Sequence, residues 1–198
     1  ILSPSAPVIT PAINLVGEGT VTYVYSYTDC AGLPYVWTYT YTVDDTQAPS
    51  ISICAPDQDV NLNGACALVV PDLTSAVTAS DNCSAVTITQ SPLASAILAS
   101  AHNQTHAVTI TVTDLSGLTT TCQVTLTGKD VTAPTISAGT INAVYPTVLA
   151  AETAAIAATT ASDNCTYALT ASTVGTCNAT VTVTATDLAG NSNSVNYN

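Results

Sequence analysis

Two histidines and two pairs of acids are the residues of this sequence that could take part in catalysis. His102 and His106 run into an alternating sequence that predicts a strand, where positions four apart are separated by about 13 Å. The acids Asp44–Asp45, Asp57 and Asp59 lie in predicted turns without a nearby base. No HExxH, GxSxG or phosphate-binding glycine motif occurs in the sequence. A hydrolase needs a base beside its nucleophile, so we predict that the chain is not an enzyme.

Calcium is the cofactor that the acidic residues could hold. Asp44, Asp45 and Asp130 lie near the ends of repeated stretches, and Asp81 and Asp163 precede asparagine in two similar turns. Hard cations prefer carboxylate and carbonyl oxygens. Aspartate is also a common turn former, and no EF-hand motif is present. The sequence therefore requires no cofactor, and calcium at Asp44, Asp45 and Asp130 is a hypothesis beside an ordinary role in turns.

The charge balance and the cysteines indicate an exported protein. Thirteen acids face one base, Lys129, and the net charge is −12. This balance excludes nucleic acids and anionic membrane surfaces as partners, because both are bound through many cations. Seven cysteines without a CxxC pair or a Cys/His cluster predict disulfides in an oxidising compartment rather than zinc. With no apolar run of about 18 residues and no signal peptide before Ile1, we expect a mature, extracellular or surface segment without membrane insertion.

Short sequence markers recur along the chain, and two of them share a step of 85 residues. Apolar or aromatic residues alternate with threonine in three tracts that end in Asp29, Asp114 and Asp187, each followed by a turn containing glycine. The step from Asp29 to Asp114 is 85 residues, and so is the step from Pro49 to Pro134. A further marker, Ser-Asp-Asn-Cys, occurs at 80–83 and 162–165. Because alternation with a period of two indicates strands, the tracts predict three copies of one β-hairpin.

These markers divide the chain into three segments. Residues 1–48 are the closing part of one module, residues 49–132 form a complete module, and residues 133–198 form a third, shortened module. Modules of this length with short strands are typical of immunoglobulin-like β-sandwiches. The predicted fold class is therefore all-β, with tandem immunoglobulin-like β-sandwich modules. One alanine-rich stretch, residues 148–158, predicts a short helix capped by Thr147.

An aromatic ladder distinguishes the first segment. Its two predicted strands carry Tyr23, Tyr25, Tyr27, Trp37, Tyr39 and Tyr41 at alternating positions. The equivalent positions of the second segment are Val108, Ile110 and Val112, which are typical of a core. We therefore predict that the aromatic rings pack in a core, in pairs across the strands. An exposed face that binds carbohydrate or protein is the alternative.

Several motifs follow one another along the second segment: Ala-Pro-Ser-Ile at 48–51, Cys-Ala-Pro at 54–56, Gly-Ala-Cys at 64–66, Asp-Asn-Cys at 81–83 and Val-Thr-Asp-Leu-Ser-Gly at 112–117. Together they resemble the hyalin repeat, an immunoglobulin-like module of adhesive extracellular proteins. The first and third segments resemble repeats of large secreted Bacteroidetes surface adhesins. Such repeats usually have cysteines where this chain has Val144 and Leu188 or Ala189, so their disulfide pairings cannot be copied. The resemblance implies a structural repeat of an extracellular filament, stalk or adhesin.

The cysteines of each segment suggest a set of disulfides. The first and last predicted strands of the second segment each carry a cysteine, and such strands can run side by side. The predicted pairs are Cys54–Cys122, Cys66–Cys83 and Cys165–Cys177. Cys30 is left over at a hairpin turn, either as a free thiol or as a link to another chain.

The partners expected of the first segment follow from its strands. Residues 1–48 contain a hairpin but not the strands against which its apolar face would pack, and an isolated hairpin is marginally stable in water. We therefore expect adjacent repeats, or copies of the chain joined head to tail, to complete it. Surface glycans or proteins are further expected partners.

Overall fold

The computed structural model describes residues 8–10, 19–175 and 178–198. These residues form sixteen strands and one α-helix. The strands are β1 (Val8–Thr10), β2 (Gly19–Thr28), β3 (Pro34–Val43), β4 (Ser50–Ile53), β5 (Gln58–Asn61), β6 (Ala67–Val69), β7 (Thr78–Ser80), β8 (Thr87–Ser91), β9 (Ile97–Ala99), β10 (Thr105–Thr113), β11 (Thr119–Lys129), β12 (Thr135–Ser137), β13 (Thr160–Ser162), β14 (Tyr167–Val174), β15 (Thr180–Asp187) and β16 (Ser192–Tyr197). The helix is α1 (Val148–Ala158). The all-β fold with one short helix is confirmed.

Helix α1 begins and ends where the sequence predicts. The backbone N–H of Ala150 donates to the Thr147 hydroxyl at 3.2 Å, which satisfies one of the free donors of the first turn. The helix ends at Thr159, whose backbone is extended and whose hydroxyl donates to the carbonyl of Ala155 at 2.7 Å. In the described residues, no helix is long and apolar enough to cross a membrane.

The strands form small sheets with antiparallel neighbours in most cases. The sheet orders are β1-β2-β3, β5-β11-β10-β8, β14-β15-β16, and the pairs β4-β7, β6-β9 and β12-β13. The pairing of β5 with β11 is parallel, with Gln58 opposite Leu126. Alternation of small apolar residues with threonine along β10 and β15 buries one face of each strand and leaves the other partly exposed.

The chain divides into two compact units that interleave along the sequence. The first unit comprises residues 1–56, 73–91 and 109–124. Its buried side chains include Val21, Ile110, Val112 and Val124, and strands β8 and β10 pair within it from Thr109 to Thr113. Val112 and Ile110 are fully buried, as expected of the core-like tract.

The second unit comprises residues 57–72, 92–108 and 125–198. One of its cores joins Ala155 of the helix to Val181, Val183 and Tyr197 of the sheet β14-β15-β16. The Tyr197 hydroxyl lies 2.7 Å from the Thr159 hydroxyl and accepts the backbone N–H of Gly139 at 3.2 Å. The buried phenol is therefore fully hydrogen-bonded, as a polar tip in a core must be.

The three copies of the predicted β-hairpin have the same turn. In each copy the aspartate N–H donates to a carbonyl four residues later, and the glycine N–H donates back to the aspartate carbonyl. The glycines of the three turns, Gly32, Gly117 and Gly190, have φ angles of 80°, 87° and 90°. This left-handed conformation favours glycine, and it explains why each turn contains one.

The Ala-Pro markers also introduce equivalent structures. Strand β4 follows the first marker and pairs with β7, with Ser50 opposite Ser80. Strand β12 follows the second marker and pairs with β13, with Thr135 opposite Ser162. In both pairs the first hydroxyl donates to the facing carbonyl, at 3.2 Å and 3.0 Å. The markers thus have the same local structure, while the segment boundaries at residues 48 and 132 stay predictions.

Candidate metal centres

Three aspartates of the first unit lie together, and we call them the first cluster: Asp45, Asp81 and Asp114. One carboxylate oxygen from each lies within 4.8 Å of the others. Asp45 lies just before β4, Asp81 directly follows β7, and Asp114 directly follows β10 at the hairpin turn. The pairing of β4 with β7 brings the first two residues to the same end of the strand pair.

Three aspartates of the second unit form the second cluster: Asp130, Asp163 and Asp187. Their carboxylate oxygens also lie within 4.8 Å of one another. Asp130 follows β11, Asp163 follows β13, and Asp187 ends β15 at the equivalent hairpin turn. Each member occupies the position that a member of the first cluster occupies in its own repeat. The clustering is therefore part of the repeat.

In the first cluster, each carboxylate uses one oxygen to hold its own turn. Asp45 Oδ1 accepts the backbone N–H of Gln47 at 3.1 Å, and Asp114 Oδ1 accepts that of Leu118 at 2.9 Å. Asp81 Oδ2 accepts the backbone N–H groups of residues 83 and 84 at 2.8 and 3.0 Å. These bonds fix the three side chains and account for one oxygen of each.

The second cluster repeats these hydrogen bonds. Asp130 Oδ1 accepts the backbone N–H of Thr132 at 3.2 Å, and Asp163 Oδ2 accepts that of Cys165 at 3.1 Å. Asp187 Oδ1 accepts the backbone N–H of Asn191 at 2.8 Å. The Asn191 amide also donates to Asp187 Oδ2 at 2.8 Å, so this carboxylate has both oxygens engaged.

The remaining oxygens of the first cluster have no hydrogen-bond donor among the described residues. These are Asp45 Oδ2, Asp81 Oδ1 and Asp114 Oδ2, all shielded from solvent. Asp45 and Asp114 are only 5% and 6% exposed. In the second cluster the equivalent oxygen of Asp163 is also without a donor. A buried acceptor without a partner is costly, so these oxygens are candidate ligands for a bound cation.

Hydrogen bonds, burial and nearby charges shift the pKa of two groups at the first cluster. The backbone N–H of Cys83 is the main cause that lowers the pKa of Asp81, which keeps this carboxyl ionised. Burial, followed by the charges of Asp45, Asp81 and Asp114, raises the pKa of the Cys83 thiol. The cluster is therefore a region of negative potential.

The sequence identified some of these residues and missed others. Asp45 and Asp130, which were predicted as calcium ligands, each belong to a cluster, whereas Asp44 is exposed and lies outside both. Asp114 and Asp187 were not assigned to a metal site. Their sequence signal was the aspartate that ends each repeated tract, which we interpreted only as a turn former.

The other candidate residues have structural partners. Asp57 accepts the backbone N–H of Thr125 at 2.6 Å, and Asp59 lies 3.8 Å from the ammonium of Lys129. The ring of His102 accepts the backbone N–H of Asp130 at 3.2 Å. The other histidine, at position 106, lies on β10 with its Nε2 3.0 Å from a serine hydroxyl.

Of the two disulfides in the described residues, one was predicted and the other was not. Cys54 is bonded to Cys122, as predicted. Cys66 is bonded to Cys165, so the predicted pairs Cys66–Cys83 and Cys165–Cys177 are wrong. The Asn164 amide, next to Cys165, donates to the carbonyl of Asn63 at 3.3 Å, which holds the two turns together.

Two thiols of the described residues are free. Cys83 is half-buried, and Cys30 is exposed at the first hairpin turn. Cys177 lies outside the described residues. The position of Cys30 agrees with the free-thiol reading, and its link to another chain stays a prediction.

The rings of the aromatic ladder are not buried: Trp37 and Tyr39 are exposed and the other four are half-buried, so the predicted core packing is wrong for this face. In the pairing of β2 with β3, Tyr23 faces Tyr39 and Tyr25 faces Trp37. Tyr35, Trp37 and Tyr39 are 68%, 53% and 52% exposed. Ring centroids of neighbours lie 5.4–6.3 Å apart. The rings pack in pairs, as predicted, but none of the six is fully buried among the described residues.

Comparison with known proteins indicates the class of module. A family model described as an HYR-like domain with four cysteines matches residues 1–43, a stretch that contains one cysteine, Cys30. No curated protein sequence matches the chain. The match to the family model indicates an extracellular, adhesion-type module in that stretch.

Solved structures that resemble the chain are cadherin ectodomains, at low similarity. Protocadherin gamma B7 extracellular cadherin domains 1–4 are 13% identical with a TM-score of 0.35, covering 100% of this chain and 66% of that one. Drosophila N-cadherin EC1–4 is 12% identical with a TM-score of 0.28, covering 93% and 58%. The human desmocollin-1 ectodomain is 10% identical with a TM-score of 0.27, covering 89% and 43%. The chain thus spans less than two thirds of these proteins.

Proposed function

We propose that the chain is a structural repeat segment of an extracellular surface filament, stalk or adhesin, of the kind found in large secreted Bacteroidetes proteins. The observation that carries this proposal is the Cys66–Cys165 disulfide. Both cysteines lie in the second compact unit, and in the predicted segmentation they belong to residues 49–132 and 133–198, so we infer that the bond crosslinks consecutive sequence repeats. Tension applied to the chain ends passes across this bond and bypasses the residues between the two cysteines.

The composition supports a mechanical rather than a catalytic role. The chain has 7% charged residues and two histidines, and two acids outside the clusters, Asp57 and Asp59, contact strand β11. Its partners would be adjacent repeats or copies of itself head to tail. Divalent cations are the cofactor that suits such a segment, with the two clusters as the candidate ligands.

Peptide mapping of the native protein under non-reducing conditions tests both the compartment and the crosslink. Digestion with pepsin at low pH suppresses disulfide exchange, because the thiolate is the attacking species. We expect linked peptides for Cys54–Cys122 and Cys66–Cys165, close to stoichiometric, because structural disulfides persist outside the cell. Recovery of both pairs as reduced thiols would contradict an extracellular location, and a Cys66–Cys83 peptide would contradict the crosslink between repeats.

A second function, carbohydrate binding, is favoured by the exposed and half-buried rings of the aromatic ladder. Tyr23, Tyr25, Trp37 and Tyr39 line a shallow cleft of about 350 Å³. Aromatic faces stack against the apolar C–H face of a sugar ring and supply large contact area at low entropic cost. A net charge of −12 disfavours anionic ligands, so the occupant that we propose is a neutral oligosaccharide.

The single tryptophan of the chain, Trp37, is a built-in probe of this cleft. We expect titration with neutral gluco- and manno-oligosaccharides to change its fluorescence emission, because a stacked sugar displaces water from the ring. Tyr39→Ala should weaken binding about fivefold or more, since stacking on an aromatic ring is worth on the order of 1 kcal/mol or more. Val36→Ala, next to Trp37 on the opposite face of the strand, is the matched control. Unchanged emission with every sugar at millimolar concentration would exclude this function.

A further inference from the structure

Three carboxylates in close contact need a counter-charge when they are ionised. In each cluster the oxygens lie within 4.8 Å of one another, a distance at which like charges repel strongly when solvent is largely excluded. The chain has a single lysine and no arginine, and that lysine, Lys129, faces Asp59 at 3.8 Å. No cationic side chain of the protein is therefore left to neutralise the first cluster.

The buried oxygens of the first cluster point to the same ligand independently. Asp45 and Asp114 are more than nine-tenths buried, and each has an oxygen without a hydrogen-bond donor. A water molecule could donate to two such oxygens at most, since it has two protons, and it would not neutralise the charge. A cation satisfies all three carboxylates at once.

We propose that each cluster binds one calcium ion, the first through Asp45, Asp81 and Asp114 and the second through Asp130, Asp163 and Asp187. Every contributing atom is a carboxylate oxygen, the ligand type that hard cations prefer, and no histidine or cysteine belongs to either cluster. Calcium accepts six to eight oxygens in flexible geometry, so carbonyls or water can complete the shell. Magnesium requires near-ideal octahedral geometry and retains much of its bound water. Three carboxylates that are each fixed by a turn do not favour that geometry.

Each ion would tie together three turns that the sequence separates. In the first unit these are the stretch before β4, the turn after β7 and the hairpin turn after β10. The equivalent three elements meet in the second unit. Calcium would bind in this way whether or not the chain belongs to an adhesive protein. The two sites differ, because Asn191 already occupies both oxygens of Asp187, so we expect the first site to bind more tightly.

Calcium titration of the full chain after removal of divalent ions tests this inference. Calorimetry and equilibrium dialysis in 0.15 M KCl should give two bound ions per chain, with dissociation constants of roughly 0.1–1 mM, as in other extracellular modules. Asp114→Asn and Asp187→Asn should each remove one ion, with affinity at the altered site falling at least tenfold. Asparagine keeps the Oδ1 that accepts the turn N–H, which preserves the backbone bond of each turn. At position 187 the substitution also removes Oδ2, the acceptor of the Asn191 amide.

Asp44→Asn is the matched control, because it removes the same charge from the exposed neighbour of Asp45 and should leave both sites unchanged. If Asp114→Asn fails to fold by circular dichroism, Asp81→Asn addresses the same site from a partly exposed turn. In the unaltered chain, 10 mM calcium should raise the melting temperature by about 5 °C or more, and chelation should reverse the rise. No bound calcium, equal affinity for magnesium, or loss of an ion in Asp44→Asn would overturn the assignment.

Discussion

Replacing Cys66 and Cys165 together by serine should lower the free energy of unfolding by about 4 kcal/mol. The bond closes a loop with a sequence separation of 99 residues, and a crosslink stabilises mainly by restricting the unfolded chain. For a chain of this length, the expected fall in melting temperature is roughly 10 °C. Chemical and thermal denaturation followed by circular dichroism measure both quantities. The double variant avoids leaving one reactive thiol behind.

Cys30→Ser is the control for this prediction. Cys30 is free and exposed at a hairpin turn, so its replacement should change the free energy of unfolding by less than about 0.5 kcal/mol. If the double variant were no less stable than this control, the Cys66–Cys165 bond would contribute nothing to the fold.

Local patterns predicted the elements of the fold well. Alternation of apolar residues and threonine identified β10 and β15, because a strand places successive side chains on opposite faces. The three hairpin turns followed from Asp and Gly at fixed positions, and the helix from Thr147 and the alanines after it. Each of these signals depends on residues a few positions apart, and the structure agrees with each of them.

Contacts between distant residues were harder to predict. We paired cysteines within each sequence segment, but the bond from Cys66 to Cys165 crosses from one segment to the next. The markers around Cys83 and Cys165 are similar in sequence, and only one of these residues is bonded in the structure. Nothing in the marker itself specifies which distant turn lies opposite it.

The acidic clusters were also hard to predict, because their members are distant in sequence. Asp44 and Asp45 are adjacent in sequence, yet the first is exposed and the second is 5% exposed. Asp114 joins Asp45 only because the hairpin turn lies beside the stretch before β4 in the folded unit. Single residues suggested calcium, whereas the set of ligands depends on three separated turns.

For the aromatic ladder, the prediction of the strand face was correct and the prediction of burial was wrong. Its period of two correctly predicted that Tyr23, Tyr25, Trp37 and Tyr39 share one face of β2 and β3. Comparison with the buried valines of β10 predicted a core, but burial depends on whether another layer covers the face. A period-two pattern specifies the face and carries no information about what lies against it.

The second large effect that we expect is a change in the length of the fully extended chain, which depends on the covalent path through the disulfides. When the chain is pulled from its ends, the shortest path crosses Cys66–Cys165 and bypasses 99 residues. The Cys54–Cys122 bond, with a separation of 68 residues, is not on that path. It shortens the extended chain only when the Cys66–Cys165 bond is absent. Complete reduction should therefore lengthen the fully extended chain by 99 residues, or roughly 350 Å.

Single-molecule stretching of the full chain tests most directly the central proposal, that tension passes through the Cys66–Cys165 bond. Cys66→Ser with Cys165→Ser should lengthen the extended, oxidised chain by 99 − 68 = 31 residues, or roughly 110 Å. Cys54→Ser with Cys122→Ser should leave that length unchanged, because the shorter path is intact. An unchanged length in the first variant, or a longer chain in the second, would contradict the account.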